Sequence, residues 1–390
     1  MKILFAGASG DRYGADAVLA AIAVHMQSRG VDCLLVLPEN GPGRDVAVEE
    51  GLRVEIVETP VLRRSDLSVI GLLRLLLCFV TAWASHVRAL RRERPDVIWV
   101  NTITIPLWSV VGRLLNVCVV CHGHEIVGSP RWLRRLLYLP LFLAHRIVLV
   151  SDACRSELVA TYPRLERRAL VVVNPSFSVP ECIPIRKGAE SNLVIIGRVS
   201  QRKGLAVLMD ALDVAIVARY RPVVHVCGDA YRSRQALAFA SRLRARALTT
   251  TATVHFHGYV PTRKALEMGG IVVVPSVEPE ACPLVVAEAI VAGRAVVASD
   301  CGGVAEVAGG AAALVAPGDV NGLAEMLARL ISEPAERAKL VAASLIRAEA
   351  LSVERYAAVL ERMIRELGHR EGTLEADDPH ARTAGVRRFV

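Results

Sequence analysis

At 390 residues the chain is long enough for two ordinary domains, each able to bury a full core. It is 53% hydrophobic but only 5% aromatic, with leucine, valine and alanine dominant, which argues against an aromatic-rich β-sandwich and for alternating strands and helices. The formal net charge of +8 is uneven: between Arg63 and Arg168 there are 16 Arg and Lys against 7 Asp and Glu, a face that attracts phosphate as nucleotide, nucleic acid or anionic lipid unless it is simply solvated.

The opening, MKILFAGASG, goes straight into a strand from Lys2 to Ala8 and a glycine turn, without the profile of a signal peptide. Nine cysteines scattered through apolar runs then read as buried, reduced thiols of a cytoplasmic chain. Gly7, Gly10 and Gly14 do not make the dinucleotide fingerprint G-x-G-x-x-G, and although GASG resembles the related turn of short-chain dehydrogenases, the third glycine of that turn would fall on Tyr13. The turn can still bring backbone N–H groups to an anion ahead of the helix ADAVLAAIAVHMQSRG, or be no more than a tight strand-to-helix connection. VDCLLVLPEN, DVIWVN, NVCVVCHG and RIVLVSD are further strands with helical stretches between them, the alternation of a doubly wound parallel sheet. Cys118 and Cys121 form a C-x-x-C without a second pair at zinc spacing, inside a strand-like run, so no metal or redox role is assigned to them. Ser68 to Ser85 is the most apolar stretch. Arg74 interrupts it, so it reads as an interfacial or partly buried helix rather than a membrane span.

A second set of elements follows the polar stretch SFSVPECIPIRKGAESN. NLVIIGRVS is a strand, GLAVLMDALDVAIVA a helix, PVVHVCGD and TVHFHGYV strands, and IVVVPS a buried strand. In GRVSQRKG a strand ends at Gly197, and Arg198 and Lys203 stand at its end with Arg202 nearby, which suits a diphosphate or an exposed polar corner. In PEACPLVVAEAIVAG, Glu280 falls in the loop after IVVVPS and Glu288 inside the next helix, with Pro283 in its first turn. Free N–H groups near Leu284 and Val285 can hold a phosphate. The two carboxylates then bracket it, Glu288 reading vicinal hydroxyls such as those of a ribose and Glu280 those of a sugar beyond the diphosphate.

With these residues in view the chain resembles the retaining glycosyltransferases of family 4, whose fold is GT-B, α/β with two Rossmann-like domains facing across a cleft. Glu280-x7-Glu288 between VVVPS and AEAIVAGRAVVASDCGGVAEV carries the resemblance, with GRVSQRKG, VHVCGD, VHFHGYV, VVNPS, APGDVNGLAEML and LSVERYAAVLERMI in support, so it spans most of the chain. It implies an acceptor domain over 1–175, a linker over 176–190, a nucleotide-sugar domain over 191–350 and a helix over 351–368 that crosses back. The polar end, 369–390, is expected to be disordered. It implies catalytic roles for His124, Arg198, Lys203 and Glu280. His124 is the strand-phase match in VVCHGHEI, with His122 the alternative. It implies donor binding by Gly14, Arg198, Lys203, Val260, Cys282, Pro283, Leu284, Val285 and Glu288. Cys282 and Pro283 stand where the family often has an aromatic residue and a glycine, at positions whose phosphate contacts are made by backbone.

The implied reaction is transfer of a sugar from a nucleotide diphosphate sugar, with retention, to a glycan or lipid-linked acceptor in polysaccharide or glycolipid synthesis. No Asp-x-Asp stands at a strand end, so neither a metal nor a cofactor beyond the donor is expected. A sugar-nucleotide epimerase or a non-catalytic sugar-nucleotide subunit are the alternatives on the same fold. Nucleic acid is not expected as a partner, because no aromatic-interleaved basic stripe is present. The arginines beside apolar residues in VLRRSDLSVIGLLRLLLCFV and SPRWLRRLLYLPLFLAHR, with Phe79 and Trp132, suggest a peripheral seat on an anionic membrane's inner face.

Overall fold

A computed structural model describes residues 1–11, 14–62, 68–128, 130–179 and 181–371. The expected disordered end therefore lies, from residue 372 on, outside the described residues, while 369–371 continue a helix. Seven strands form the first sheet: β1 (Lys2–Ala6), β2 (Asp32–Leu37), β3 (Arg53–Ile56), β4 (Val97–Val100), β5 (Cys118–Gly123), β6 (Arg146–Leu149) and β7 (Ala169–Val171). Six form the second: β8 (Leu193–Ile196), β9 (Val223–Cys227), β10 (Thr253–Gly258), β11 (Ile271–Val274), β12 (Ala295–Ser299) and β13 (Ala312–Val315). Their spatial orders are β3-β2-β1-β4-β5-β6-β7 and β10-β9-β8-β11-β12-β13, with parallel pairing throughout. The continuous apolar runs follow from this: β1 and β12 are covered on both faces by helices, so alternation is absent and Ile3, Leu4, Phe5 and Ala6 are all fully buried.

Each sheet reverses its winding once, between β1 and β4 in the first and between β8 and β11 in the second. Loops leaving the carboxyl ends of strands at such a reversal splay apart and leave a crevice for ligand. The four loops at the two reversals carry Gly7 to Gly14, Asn101, Arg198 to Lys203, and Glu280. Topology therefore gathers the candidate residues before any side chain is considered.

The helix Val353–Glu371 belongs to the first domain in packing. Tyr356, Leu360, Met363 and Ile364 are buried in one cluster with Ile3, Phe5 and Trp99, and Glu361 pairs with Arg29 at 3.2 Å. The helix Val69–Glu93 is longer than the apolar stretch that announced it. Ser68 caps it, accepting from Gly71 N–H at 3.1 Å, and Arg94 ends it in the left-handed conformation. Ala82, His86, Ala89 and Leu90 form its inward stripe. Phe79 also packs inward against the core, which corrects its expected place at a lipid boundary. The segment expected as one helix from Gly204 breaks at Val214, into Leu205–Asp213 and Ala215–Ala218. All nine cysteines are free, and Cys118 and Cys121 are buried in β5.

Candidate functional site

Lys203 and Glu280 meet directly, although 77 positions separate them. Lys203 Nζ donates to both carboxylate oxygens of Glu280, at 2.8 and 2.7 Å, and Ser276 Oγ donates to one of them. Local backbone makes this possible. The turn Gln201–Lys203 ends at Gly204, with φ +67°, and a Cβ there would stand 1.7 Å from the Pro275 carbonyl oxygen at the end of β11. Only glycine lets the turn tuck under that strand and present Lys203 to the next loop. The loop itself is held by Gly302 and Gly303: Glu280 bridges to Gly302, Gly303 N–H donates to the Glu280 carbonyl at 2.7 Å, and a Cβ on Gly302 would meet that oxygen at 2.2 Å. Burial alone would push the Glu280 carboxyl up. The Lys203 charge and the hydrogen bonds from Lys203 and Ser276 outweigh it and hold it below the usual range, so it is ionised at neutral pH. An ammonium has three donors, and with two on Glu280 one is left for another anion.

Pro283 is the N-cap of the helix Leu284–Val291 rather than a residue of its first turn, a shift of one position from expectation. Leu284 packs against the core of the first domain, so the start of this helix faces the other half of the molecule. Cys282 is half-buried and packs into both halves. Glu288 lies a turn in. It is 7% exposed, and desolvation raises its pKa to about 7 although the Ser178 and Thr262 side chains hydrogen-bond to it. Thr262 opens the helix just past Val260, so the loop after β10 reaches the same place. Arg198 stacks its guanidinium 4.1 Å from the Tyr231 ring centre and approaches Asp11 of the first glycine turn at 3.8 Å, linking the two walls. Gly14 begins the helix Gly14–Ser28 with φ +56° and open space where a Cβ would be; Arg12 and Tyr13 lie outside the described residues.

The other wall is built by β4 and β5. His122 is fully buried and His124 half-buried, their rings 3.9 Å apart between centres. His124 Nε2 is 3.1 Å from Asn101 Oδ1 and 3.1 Å from His122 Nδ1. Burial lowers the His124 pKa to about 3 and that of His122 well below its ordinary value, so both rings are neutral. Beside them Glu125 takes hydrogen bonds from Thr102 Oγ1 and the His124 N–H. Burial nevertheless raises its pKa to about 6. Among the described residues His124 forms no hydrogen bond with the Lys203–Glu280 pair. Sequence reasoning missed Asn101, Ser276, Thr262 and Ser178. Asn101 had a signal, as the polar residue closing DVIWVN, and so did Ser276, which closes IVVVPS four positions before Glu280; Thr262 and Ser178 are brought in by distant segments. Among the described residues no group of three or more His, Cys, Asp or Glu is disposed to hold a metal ion.

Residues 13–176 match the model of "Glycosyltransferase Family 4", and residues 190–333 match that of "Glycosyl transferases group 1". The chain belongs to this glycosyltransferase family. Alpha-maltose-1-phosphate synthase of Mycolicibacterium smegmatis is 29% identical over 218 residues, 49% of this chain and 55% of that one, so the match spans about half the length of that relative. Among solved structures, the Anabaena protein HepE in complex with UDP-glucose superposes with a TM-score of 0.79 at 20% identity, covering 94% of this chain and all of that one. Sucrose-phosphate synthase from Thermosynechococcus elongatus gives 0.72 at 18%, over 95% and 99%. At these identities the structures establish the fold of this family 4 glycosyltransferase, GT-B with two Rossmann-like domains.

Proposed function

We propose that the chain is a retaining glycosyltransferase that needs no metal and moves a sugar from a nucleoside diphosphate sugar to a hydroxyl of a lipid-linked glycan or glycolipid. The carrying observation is the Lys203–Glu280 pair at the β8/β11 reversal, with the start of Leu284–Val291 beside it and Glu288 one turn on. The bond between the anomeric carbon and the leaving phosphate oxygen breaks as the acceptor oxygen attacks the same face, and the acceptor proton passes to the departing diphosphate. Negative charge grows on that diphosphate. Arg198, the third donor of Lys203 and the N–H groups near Leu284 and Val285 oppose it. Glu280, pinned by Lys203 and Ser276, accepts from hydroxyls of the transferred sugar, and His124 closes the far side of the same sugar. Support for the donor class comes from the Anabaena neighbour, solved with UDP-glucose.

Glu288 gives the reading a direct test. With its pKa raised to about 7, it is half protonated in the free protein at neutral pH, and it must be ionised for both oxygens to accept from the two hydroxyls of a ribose diol. Binding of a nucleoside diphosphate is then expected to release a proton, and affinity to rise about tenfold between pH 6 and 8 as the competent fraction grows. Calorimetry with UDP, GDP and ADP, followed by turnover with the corresponding sugars, is the experiment. Glu288→Gln should remove the component of the pH slope that belongs to the protein. A panel in which no nucleotide binds would overturn the reading.

The acceptor side rests on the surface of the first domain. On Val69–Glu93 a second apolar stripe points outward: Leu73, Leu76, Leu77, Val80 and Trp83, with Leu73 64% and Val80 65% exposed. The span Leu73–Glu93 is long and apolar enough to cross a membrane by length and composition. Its inward stripe is spent on the core, however, which fits a helix lying along a surface. The neighbouring segment Arg131–Leu143 exposes Trp132, Leu136, Leu139 and Phe142, and both segments pack on the helix Pro106–Leu114. Arg74, Arg88, Arg91, Arg131 and Arg135 are exposed among them. Phosphatidylglycerol vesicles should therefore co-sediment the protein at low salt, and Leu76→Glu with Trp132→Glu should abolish this. Loss of binding in high salt alone would leave the apolar stripe without a role.

A further inference from the structure

We propose that Asn101 fixes which ring nitrogen of His124 carries the proton, leaving His124 Nδ1 as an acceptor for a hydroxyl of the bound sugar. The inference rests on the reading that His124 lines the donor sugar. Its starting point is the Ala15 carbonyl, in the first turn of Gly14–Ser28. That oxygen can only accept, so the Asn101 atom 2.7 Å from it is the amide Nδ2. The other atom of the same amide is then Oδ1, which also only accepts. It faces His124 Nε2 at 3.1 Å, so this nitrogen bears the hydrogen. The same N–H lies 3.1 Å from His122 Nδ1, which must present its lone pair, placing the His122 proton on Nε2. His122 Nε2 is buried without a hydrogen-bond partner, while the His122 ring meets Trp99 edge to face with centres 5.4 Å apart. Asn101 is 1% exposed, so water does not compete for its amide.

Ala15, Asn101, His124 and His122 thus form one directional chain in which each donor and acceptor is determined by the one before it. In a neutral imidazole the nitrogen without the proton is an acceptor. His124 Nδ1 has no hydrogen-bond partner among the described residues and is not among the fully buried orphan atoms. A phosphate oxygen, which also only accepts, gains nothing from that nitrogen. A sugar hydroxyl can donate to it. The tautomer therefore directs His124 to the sugar rather than to the diphosphate. The glycine turn is connected to sugar recognition through Asn101, which acts as a positioning residue.

Long-range proton–nitrogen correlation spectra of the full chain, labelled with 15N-histidine, test this at neutral pH. His124 is expected as a single neutral tautomer protonated at Nε2, with its Nδ1 signal moving when a nucleoside diphosphate sugar is added and staying still with the nucleoside diphosphate alone. Asn101→Leu should mix the tautomers and lower kcat on the order of 10-fold, the scale of losing an orienting partner, with nucleotide affinity unchanged. Asn101→Asp, which keeps an acceptor oxygen, should restore the Nε2 proton. A wild-type His124 protonated at Nδ1 or at both nitrogens overturns the inference, and that spectrum decides even if the leucine variant fails to fold. Normal turnover in His124→Ala would instead overturn the reading of the site on which the inference rests.

Discussion

Lys203→Ala is expected to lower turnover with a nucleoside diphosphate sugar by on the order of 10²- to 10³-fold, equivalent to roughly 3–4 kcal/mol of transition-state stabilisation. The ammonium faces the point where the leaving group gathers charge. It sits in a partly desolvated pocket with Glu280 9% exposed at the side chain, where a fixed charge is worth more than in water. The substitution has a second consequence. Removing one partner of a buried pair leaves the other charge unpaired, so Glu280 becomes a stability cost as well. The two effects separate in the variant that also carries Glu280→Gln. That protein should recover its thermal stability and remain inactive. Turnover near normal in Lys203→Ala would sink the leaving-group site; recovery of turnover in the double variant would reduce Lys203 to a counterion for Glu280. Arg198→Ala should lower turnover in the same direction.

Arg294→Met is expected to produce the largest loss of stability of any single substitution considered, about 3–5 kcal/mol, read as a fall in Tm on the order of 10 °C. Arg294 is 1% exposed, and its guanidinium is spent on backbone carbonyls: Leu266 O at 2.8 Å, Ala292 O at 2.8 Å, Ile183 O at 2.7 Å and Pro184 O at 3.4 Å. Methionine fills the space but orphans those oxygens, each costing about 1–3 kcal/mol when buried without a donor. Lysine should not rescue, because a single ammonium cannot span a fork of acceptors. Thermal melts of the three proteins decide the matter, and a methionine variant that melts with wild type would show that water replaces the guanidinium. Ile183 and Pro184 belong to the segment between the two sheets, so the same variant should loosen the connection between domains and expose it to proteolysis.

The alternation of strands and helices was legible because parallel strands buried on both faces must be apolar throughout, as VIWV and IVVV are. The placement of Glu280 in a loop and Glu288 in a helix was legible for the same reason: a buried strand, a proline and an alanine-rich run leave little choice. What the residues do to one another was not. The Lys203–Glu280 contact joins positions 77 apart, and only the close approach at Gly204 and the cradle at Gly302 bring them together. Arg294, at the entry to a strand in AGRAVV, looks in sequence like a solvated corner; its burial depends on carbonyls from two other segments as well as that of Ala292 beside it. Phe79 was misplaced because an apolar helix with two apolar faces does not announce which one the core takes. Asn101 could have been noticed as the polar residue that ends a run of four buried ones, but its directional role needs the Ala15 carbonyl, which no local pattern supplies.

The helix Val353–Glu371 completes the core around β1, so the first domain is assembled from both ends of the described chain. Most domains made on a ribosome can close as soon as their own residues emerge, the earliest first. Here the sheet that ends at Val171 waits for residues beyond Val353, a delay on the order of ten seconds or more at typical synthesis rates of about 5–20 residues per second. During that interval the cluster that holds Phe5 and Trp99 lacks Tyr356, Leu360, Met363 and Ile364. The second domain, whose strands are contiguous in sequence, can finish before the first. A chain that stops short of Val353 is therefore expected to be less soluble than the full one, because its first domain lacks part of its core.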